Sequence, residues 1–246
     1  MKILVTNDDG VDAVGIRALA AALQSVNGTK VIMVAPDREQ STTSHSLTLH
    51  RPLRIIKNAP DVYAVDGTPT DCVYMAVSVV FKEKPDIIFS GINRGGNLGD
   101  DIHYSGTVSA AVEGGIMGIP SVAMSQLVCD EFDCTTAARF AKKILRFLKK
   151  NTLPKGVILN VNIPAGAKKL DYAVTATGKC NYGEPIVEKI DPRGRPYYWV
   201  GGNEYKFYDI KGSDCNAIVA GKISVTPLQV NTTSWSYIKD LHKIKI

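Results

Sequence analysis

The feature that most restricts the fold is the alternation, over residues 1–166, of short β-branched runs with longer amphipathic stretches. KILVT (2–6) and KVIMVA (30–35) read as buried strands, with a helix predicted between them over Ile16–Val26. Leu53–Ile56 and Val62–Val65 read as a short hairpin or a pair of strands. Pro69–Phe81 reads as the next helix, with Pro near its start and Val73, Ala76, Val77 and Val80 at helical spacing. DIIFSG (86–91), Ile119–Ser125 and Gly156–Asn162 complete the strands, and Thr107–Met117 and Thr135–Lys150 the helices. This order predicts a Rossmann-like three-layer α/β core, a mostly parallel sheet with helices on both faces. In such a sheet the functional site lies beyond the carboxyl ends of the strands.

From Lys168 to about Val230 helical periodicity disappears. Gly183, Pro185, Pro192, Gly194, Pro196, Gly201 and Gly202 punctuate the chain, and Tyr197, Tyr198 and Trp199 cluster, as in long hairpins. The expected organisation is a catalytic core over 1–166, extended over 167–246 by a C-terminal β-hairpin region and a helix. An exposed aromatic hairpin needs cover, so a homodimer or homotetramer is expected.

Composition excludes several classes. With 45% hydrophobic and 22% charged residues the chain has the profile of a folded globular protein. Its apolar runs, such as Ala18–Leu23, fall far short of the roughly 18–20 residues of a membrane helix. The opening MKILVTNDDG lacks the apolar stretch of a secretory signal, so a cytoplasmic protein without a membrane partner is expected. The five cysteines are odd in number and contain no C-x-x-C pair, as for reduced thiols rather than a disulfide framework. A net charge of +5 suits anionic metabolites and falls short of a nucleic-acid-binding profile. The acid-free face of Arg139, Lys142, Lys143, Arg146, Lys149 and Lys150 reads as a solvated helix surface, with a nucleic-acid surface as the other reading.

Three segments leave strand ends and carry chemistry. In TNDDG (6–10), Asp8 and Asp9 can converge on a hard cation where the chain bends at Gly10; they can equally cap the following helix. Neither a dinucleotide-binding turn nor a P-loop is present. SGINRGGNLGDDIHYSGT (90–107) is glycine-rich; Asn93 and Asn97 offer amide groups, and Ser105, Gly106 and Thr107 open a helix whose free N–H groups suit a phosphate. After strand two, APDREQST brings Ser41 toward the same rim. His45, His50 and His103 read as structural or merely exposed, and GTPTD (67–71) as a turn that places Asp71 at a helix start.

Together, TNDDG at 6, APD with Ser41 five residues after Pro36, GTPTDCV at 67 and SGIN-x-G-x-N-x-G-x-D-x-x-YSGT at 90 resemble the SurE (survival protein E) nucleotidases. The resemblance returns in GSD (212–214) and SVTPL (224–228), so it spans nearly the whole chain. It implies a metal-dependent phosphatase acting on nucleoside 5′- and 3′-monophosphates, and on short polyphosphate in some members. It also implies one divalent ion per subunit, Mg²⁺ or Mn²⁺, held by Asp8, Asp9, Ser41 and Asn93, and assembly through a β-hairpin extension. The spacing from Ala35 favours Ser41 over Thr42 or Thr43. Two carboxylates would neutralise the ion, and Ser41 and Asn93 would add oxygen without charge, so that a phosphate dianion can still approach. Asn97, Ser105, Gly106 and Thr107 would hold the phosphate oxygens. Asp9, or else Asp8, would serve as base toward the attacking water.

Two other readings compete. A haloacid-dehalogenase-like phosphatase would use Asp8 as a covalent nucleophile, although that chemistry wants D-x-D. A non-catalytic nucleotide- or RNA-binding stress protein would use the basic helix.

Overall fold

Ile3, Leu4 and Val5, the apolar run that opens the chain, have no exposed surface and lie in the middle of a nine-stranded sheet. The structure is a computed structural model that describes residues 1–129, 131–181, 186–200 and 206–244. Its strands begin with β1 (Lys2–Thr6), β2 (Lys30–Pro36), β3 (Ile55–Ala59), β4 (Val62–Val65), β5 (Ile87–Arg94), β6 (Ser121–Gln126) and β7 (Val157–Ile163). There follow β8 (Tyr172–Val174), β9 (Cys180–Asn181), β10 (Ile186–Ile190), β11 (Pro196–Val200), β12 (Lys206–Phe207) and β13 (Ile223–Gln229). The helices are α1 (Val14–Gln24), α2 (Pro69–Met75), α3 (Gly106–Ile116), α4 (Thr135–Leu148), α5 (Asp214–Val219) and α6 (Trp235–Leu241).

The sheet order is β3-β4-β2-β1-β5-β6-β7-β13-β8. Strands β4, β2, β1, β5, β6 and β7 run parallel, and β3 and β13 join antiparallel. Strand alternation splits β1 between the two faces. Ile3 and Val5 join the core under α1 and α4, whereas Leu4 joins Val34, Ile88 and Val73 on the α2 side. Each such side chain contributes about 1.5–3 kcal/mol by leaving water. The chain steps from β1 to β2 on one side, while β5 lies on the other. The crevice between the carboxyl ends of β1 and β5 is therefore the switch point of the sheet, where such folds bind ligands.

The core agrees with the α/β expectation, with differences that have physical causes. The helix predicted over Pro69–Phe81 is α-helical only to Met75 and continues as a π-helical turn over Ala76–Phe81, ending at Lys82 with φ 57°. Long hairpins alone were expected over Lys168–Val230, and this is corrected. The antiparallel β10–β11 hairpin is present, but α5 lies in the same stretch, and β13 and β8 enter the main sheet. At six residues α5 is shorter than two turns, too short to show a period. Four of the turn signals, Gly183, Pro185, Gly201 and Gly202, lie outside the described residues. The C-terminal helix exists as α6, with no buried residue. Among the described residues, no helix is long and apolar enough to cross a membrane.

Candidate active site

Asp8 follows β1 and is buried, with its carboxylate turned to the start of α3. Thr107 donates its backbone N–H to Oδ2 at 3.0 Å and its hydroxyl to Oδ1 in a shorter bond. The helix can approach this closely because residue 106 is glycine: a Cβ there would stand 2.8 Å from Asp8 Cβ. Burial pushes the Asp8 carboxyl above the usual carboxylate range, against the pull of the two Thr107 donors.

Asp9, one residue on, is turned away. Its Oδ2 accepts the Arg94 N–H at 3.3 Å, and it lines a cavity of about 490 Å³ with Ser41, Glu39 and residues 13–15 at the start of α1. Burial first, and then the neighbouring Asp8 charge, push Asp9 up to about 6. The Glu39 carboxylate raises both aspartates further, and its Oε1 accepts the Ser41 hydroxyl at 2.7 Å. Two backbone bonds hold the loop after β2 against the loop after β1, Gln40 N–H to Asp8 O at 2.7 Å and Val11 N–H to Pro36 O at 2.8 Å.

Asn93 and Arg94 owe their placing to a bulge in β5, where the register with β6 shifts between Gly91 and Asn93. Gly91 has φ 131°, and a Cβ there would stand 2.2 Å from Met124 O, so only glycine fits. The Asn93 amide donates Nδ2 to Gly95 O at 2.9 Å, which leaves its oxygen as an acceptor.

The other expected phosphate ligands have partners within the protein. Asn97 is buried and donates Nδ2 to Ser125 Oγ at 2.7 Å. Its backbone is gripped by Asn162, whose Oδ1 takes the N–H at 2.8 Å, and by Asn160, whose Nδ2 donates to its carbonyl at 2.8 Å. Ser105 caps α3, accepting the Val108 N–H at 3.1 Å. Thr107 gives both its donors, the backbone N–H and the hydroxyl, to Asp8. From GSD, Asp214 ties the site loop to α5, accepting the Gly99 N–H at 3.0 Å and the Gly178 N–H at 2.7 Å.

Asp71 closes a capping box with Thr68 and also accepts the Thr48 N–H at 2.9 Å and hydroxyl at 2.6 Å, which tethers the loop that carries Ser41. His45 Nε2 lies 2.9 Å from Glu113 Oε2, a tie of the same loop to α3.

The structure thus joins Asp8 to Gly106 and Thr107, and puts Asp9 and Ser41 on one cavity, with Asn93 beside the Arg94 that binds Asp9. Asn97 and Ser105 are turned to internal partners. Glu39, Arg94, Ser125, Asn160 and Asn162 escaped the sequence reading. The signal for the last two was visible, polar residues at i and i+2 in the otherwise apolar VILNVNI, which mark one face of a buried strand.

Oxygen acceptors outnumber donors here. Two carboxylates carry raised pKa values, and Asn7, next in the chain, has a buried Oδ1 without a hydrogen-bond donor. Among the described residues no three His, Cys, Asp or Glu side chains form a group able to hold a metal ion. A cation at Asp8 and Asp9 would therefore need neutral oxygens, and Ser41 and Asn93 are of the right kind.

A family model described as Survival protein SurE matches residues 3–184. A Geobacter sulfurreducens protein named 5′-nucleotidase SurE is 52% identical over 244 residues, covering 98% of this chain and 92% of that protein. Another of that name, from Geotalea daltonii, is 49% identical over 249 aligned positions that cover 100% of both. The crystal structure of the SurE protein from Aquifex aeolicus is similar with a TM-score of 0.87 and 40% identity, over 99% of each chain.

Proposed function

The chain belongs to the SurE family, and from that premise we propose that it is a nucleotidase, releasing phosphate from nucleoside 5′- and 3′-monophosphates and from short polyphosphate. The observation that carries the reading is the pair of adjacent aspartates at the switch point of the sheet, both with raised pKa values and one opening onto a cavity shared with Ser41. The donor chemistry fits one divalent cation, Mg²⁺ or Mn²⁺, with Asp8, Asp9, Ser41 and Asn93 as its holders. When bound, such an ion neutralises the carboxylates, polarises the phosphoryl group and acidifies water.

The rest follows from the chain's own groups. Thr107 fixes the Asp8 carboxylate through two hydrogen bonds. Asp9 gives Oδ2 to the Arg94 N–H, which leaves Oδ1 to take a proton from the attacking water. The Ser105-capped start of α3 supplies the positive end of a helix dipole toward the phosphate, with Gly106 allowing close approach. A covalent route through Asp8 is disfavoured, since that chemistry wants a second acid two residues on and residue 10 is glycine.

The same reading includes a homodimer or homotetramer built through the β10–β11 hairpin, whose Tyr197, Tyr198 and Trp199 are exposed. It also includes a reducing, cytoplasmic setting, in keeping with an odd number of cysteines without a C-x-x-C pair. The test is phosphate release from 5′- and 3′-mononucleotides with EDTA, and with Mg²⁺ or Mn²⁺ added back. Release that EDTA abolishes and either ion restores is expected. No release from any nucleotide with either ion would overturn the reading.

A further inference from the structure

The cavity that holds Asp9 and Ser41 has walls of two kinds. Beside these polar groups stand Val14, from the first turn of α1, and Phe132, from the loop before α4. At about 490 Å³ it is of the size of small-ligand pockets, about 300–1,000 Å³, and larger than a phosphate group alone requires. A second cavity, of about 450 Å³, is also lined by Val14 and Phe132, together with Ala18, Ala22 and Ala138, but by neither Asp9 nor Ser41. Val14 and Phe132 thus line both cavities. Phe132 is half-buried and packs against the main core, which holds its ring in place. Val14 is 65% exposed, an apolar branched residue in a helix turn that faces solvent.

We propose that Val14 and Phe132 form the wall that receives the nucleobase, with the phosphate of the same mononucleotide directed to the cation that Asp9 and Ser41 would help to hold. The inference rests on the nucleotidase reading and adds the part of the substrate that reading leaves unplaced. An aromatic ring stacks on any base, because every base has a π-face, and the contact is tolerant of base identity. The wall thus gives affinity for the nucleoside half of the substrate and discriminates little among bases. Arg94, in the same cavity, brings a guanidinium suited to the anionic and sugar portions of the ligand.

The experiment compares 5′-mononucleotides with ribose 5-phosphate, which has no base, in the parent protein and in Phe132→Ala, Phe132→Tyr and Val14→Glu. For Phe132→Ala the ratio of the nucleotide KM to the ribose 5-phosphate KM is expected to rise about tenfold, the general scale of one lost stacking contact. Phe132→Tyr, which keeps the ring, should hold the parent ratio. Val14→Glu, a surface change in a first helical turn that tolerates acids, should raise the ratio in the same direction and stands in if Phe132→Ala fails to fold. A ratio unchanged in Phe132→Ala and Val14→Glu, or KM values that rise equally for both substrates, would overturn the proposal. Calorimetry with adenosine reads the wall without turnover. Binding by the parent that weakens in Phe132→Ala supports it, and no binding by the parent, or equal binding by both, refutes it. These binding outcomes stand apart from the phosphate-release assay, whose failure strikes the nucleotidase reading itself.

Discussion

Two regions of this molecule break opposite rules of folding. At the crevice between β1 and β5 the chain buries the Asp8 carboxylate and leaves Asn7 Oδ1 without a donor, where burial of polar groups is ordinarily costly. On the β10–β11 hairpin it does the reverse, holding Trp199 at 64% and Val200 at 87% exposure, where apolar surface is ordinarily covered. On the proposed reading the first would be met by a small hard cation and the second by the apolar face of a second copy of the chain. Departures of this kind concentrate at functional sites, and the two kinds of departure call for two different kinds of partner.

The comparison breaks most sharply at Asp9. Asp9→Asn should lower turnover by two or more powers of ten, a barrier increase of roughly 3 kcal/mol, and weaken Mn²⁺ binding in a calorimetric titration. Metal-free protein should respond in the opposite sense. Asp9 is pushed up to about 6, well above the usual carboxylate range, so its contribution to stability is intact below about pH 4 and lost as pH rises through 6. Thermal unfolding without metal should therefore show stability falling over that window in the parent and a flatter profile in Asp9→Asn. If the variant binds Mn²⁺ as tightly as the parent and still turns over nucleotide, the aspartates only cap a helix.

At the hairpin, Trp199→Glu combined with Tyr197→Glu should shift the assembly to monomer at micromolar concentration, as read by light scattering, with little change in monomer stability because both side chains are exposed. A parent protein that is monomeric under the same conditions would remove the second half of the comparison.

Sequence reading succeeded where information is local. KILVT, KVIMVA and DIIFSG are legible because strands buried on both faces are written as unbroken apolar runs. Asp8 and Asp9 are legible because they follow the first of these. The illegible parts depend on residues far apart in the chain. The bond from Thr107 to Asp8 spans 99 positions, and nothing in S-G-T shows that the threonine turns to a carboxylate rather than outward. The bulge that places Asn93 and Arg94 depends on how β5 pairs with β6. Entry of β13 into the main sheet depends on its pairing with β7 and β8, since an alternating strand reads alike in a hairpin and inside a mixed sheet.

Thr107 sharpens the crevice further. Thr107→Val removes the hydroxyl from Asp8 Oδ1 and leaves that buried oxygen without it, a loss on the scale of 1.5–3 kcal/mol for a hydrogen bond to a charged group. Mn²⁺ affinity is expected to fall about tenfold or more, while Thr107→Ser keeps it. Unchanged metal affinity in the valine variant, with a raised nucleotide KM, would return Thr107 to the phosphate.

Asp71 supplies the smallest effect and a control for the whole comparison, because it too is a buried carboxylate at a helix start, at 1% exposure. Its oxygens accept from donors within the chain, the Thr48 N–H and hydroxyl and the Thr68 N–H. Asp71→Asn replaces one acceptor oxygen by an NH₂ that cannot accept, so one side of this cluster loses its partner. The cost should be about 1 kcal/mol, the usual scale for a weakened cap, or about 2–4 °C in Tm for a chain of this size. Because Asp71 tethers the loop that carries Ser41, turnover should fall by no more than about threefold, and Mn²⁺ affinity by a similar factor, on the scale of an indirect 0.5 kcal/mol. A hundredfold loss of turnover with Tm unchanged would show that Asp71 belongs with the crevice and that satisfied hydrogen bonding does not separate structural from functional carboxylates in this protein.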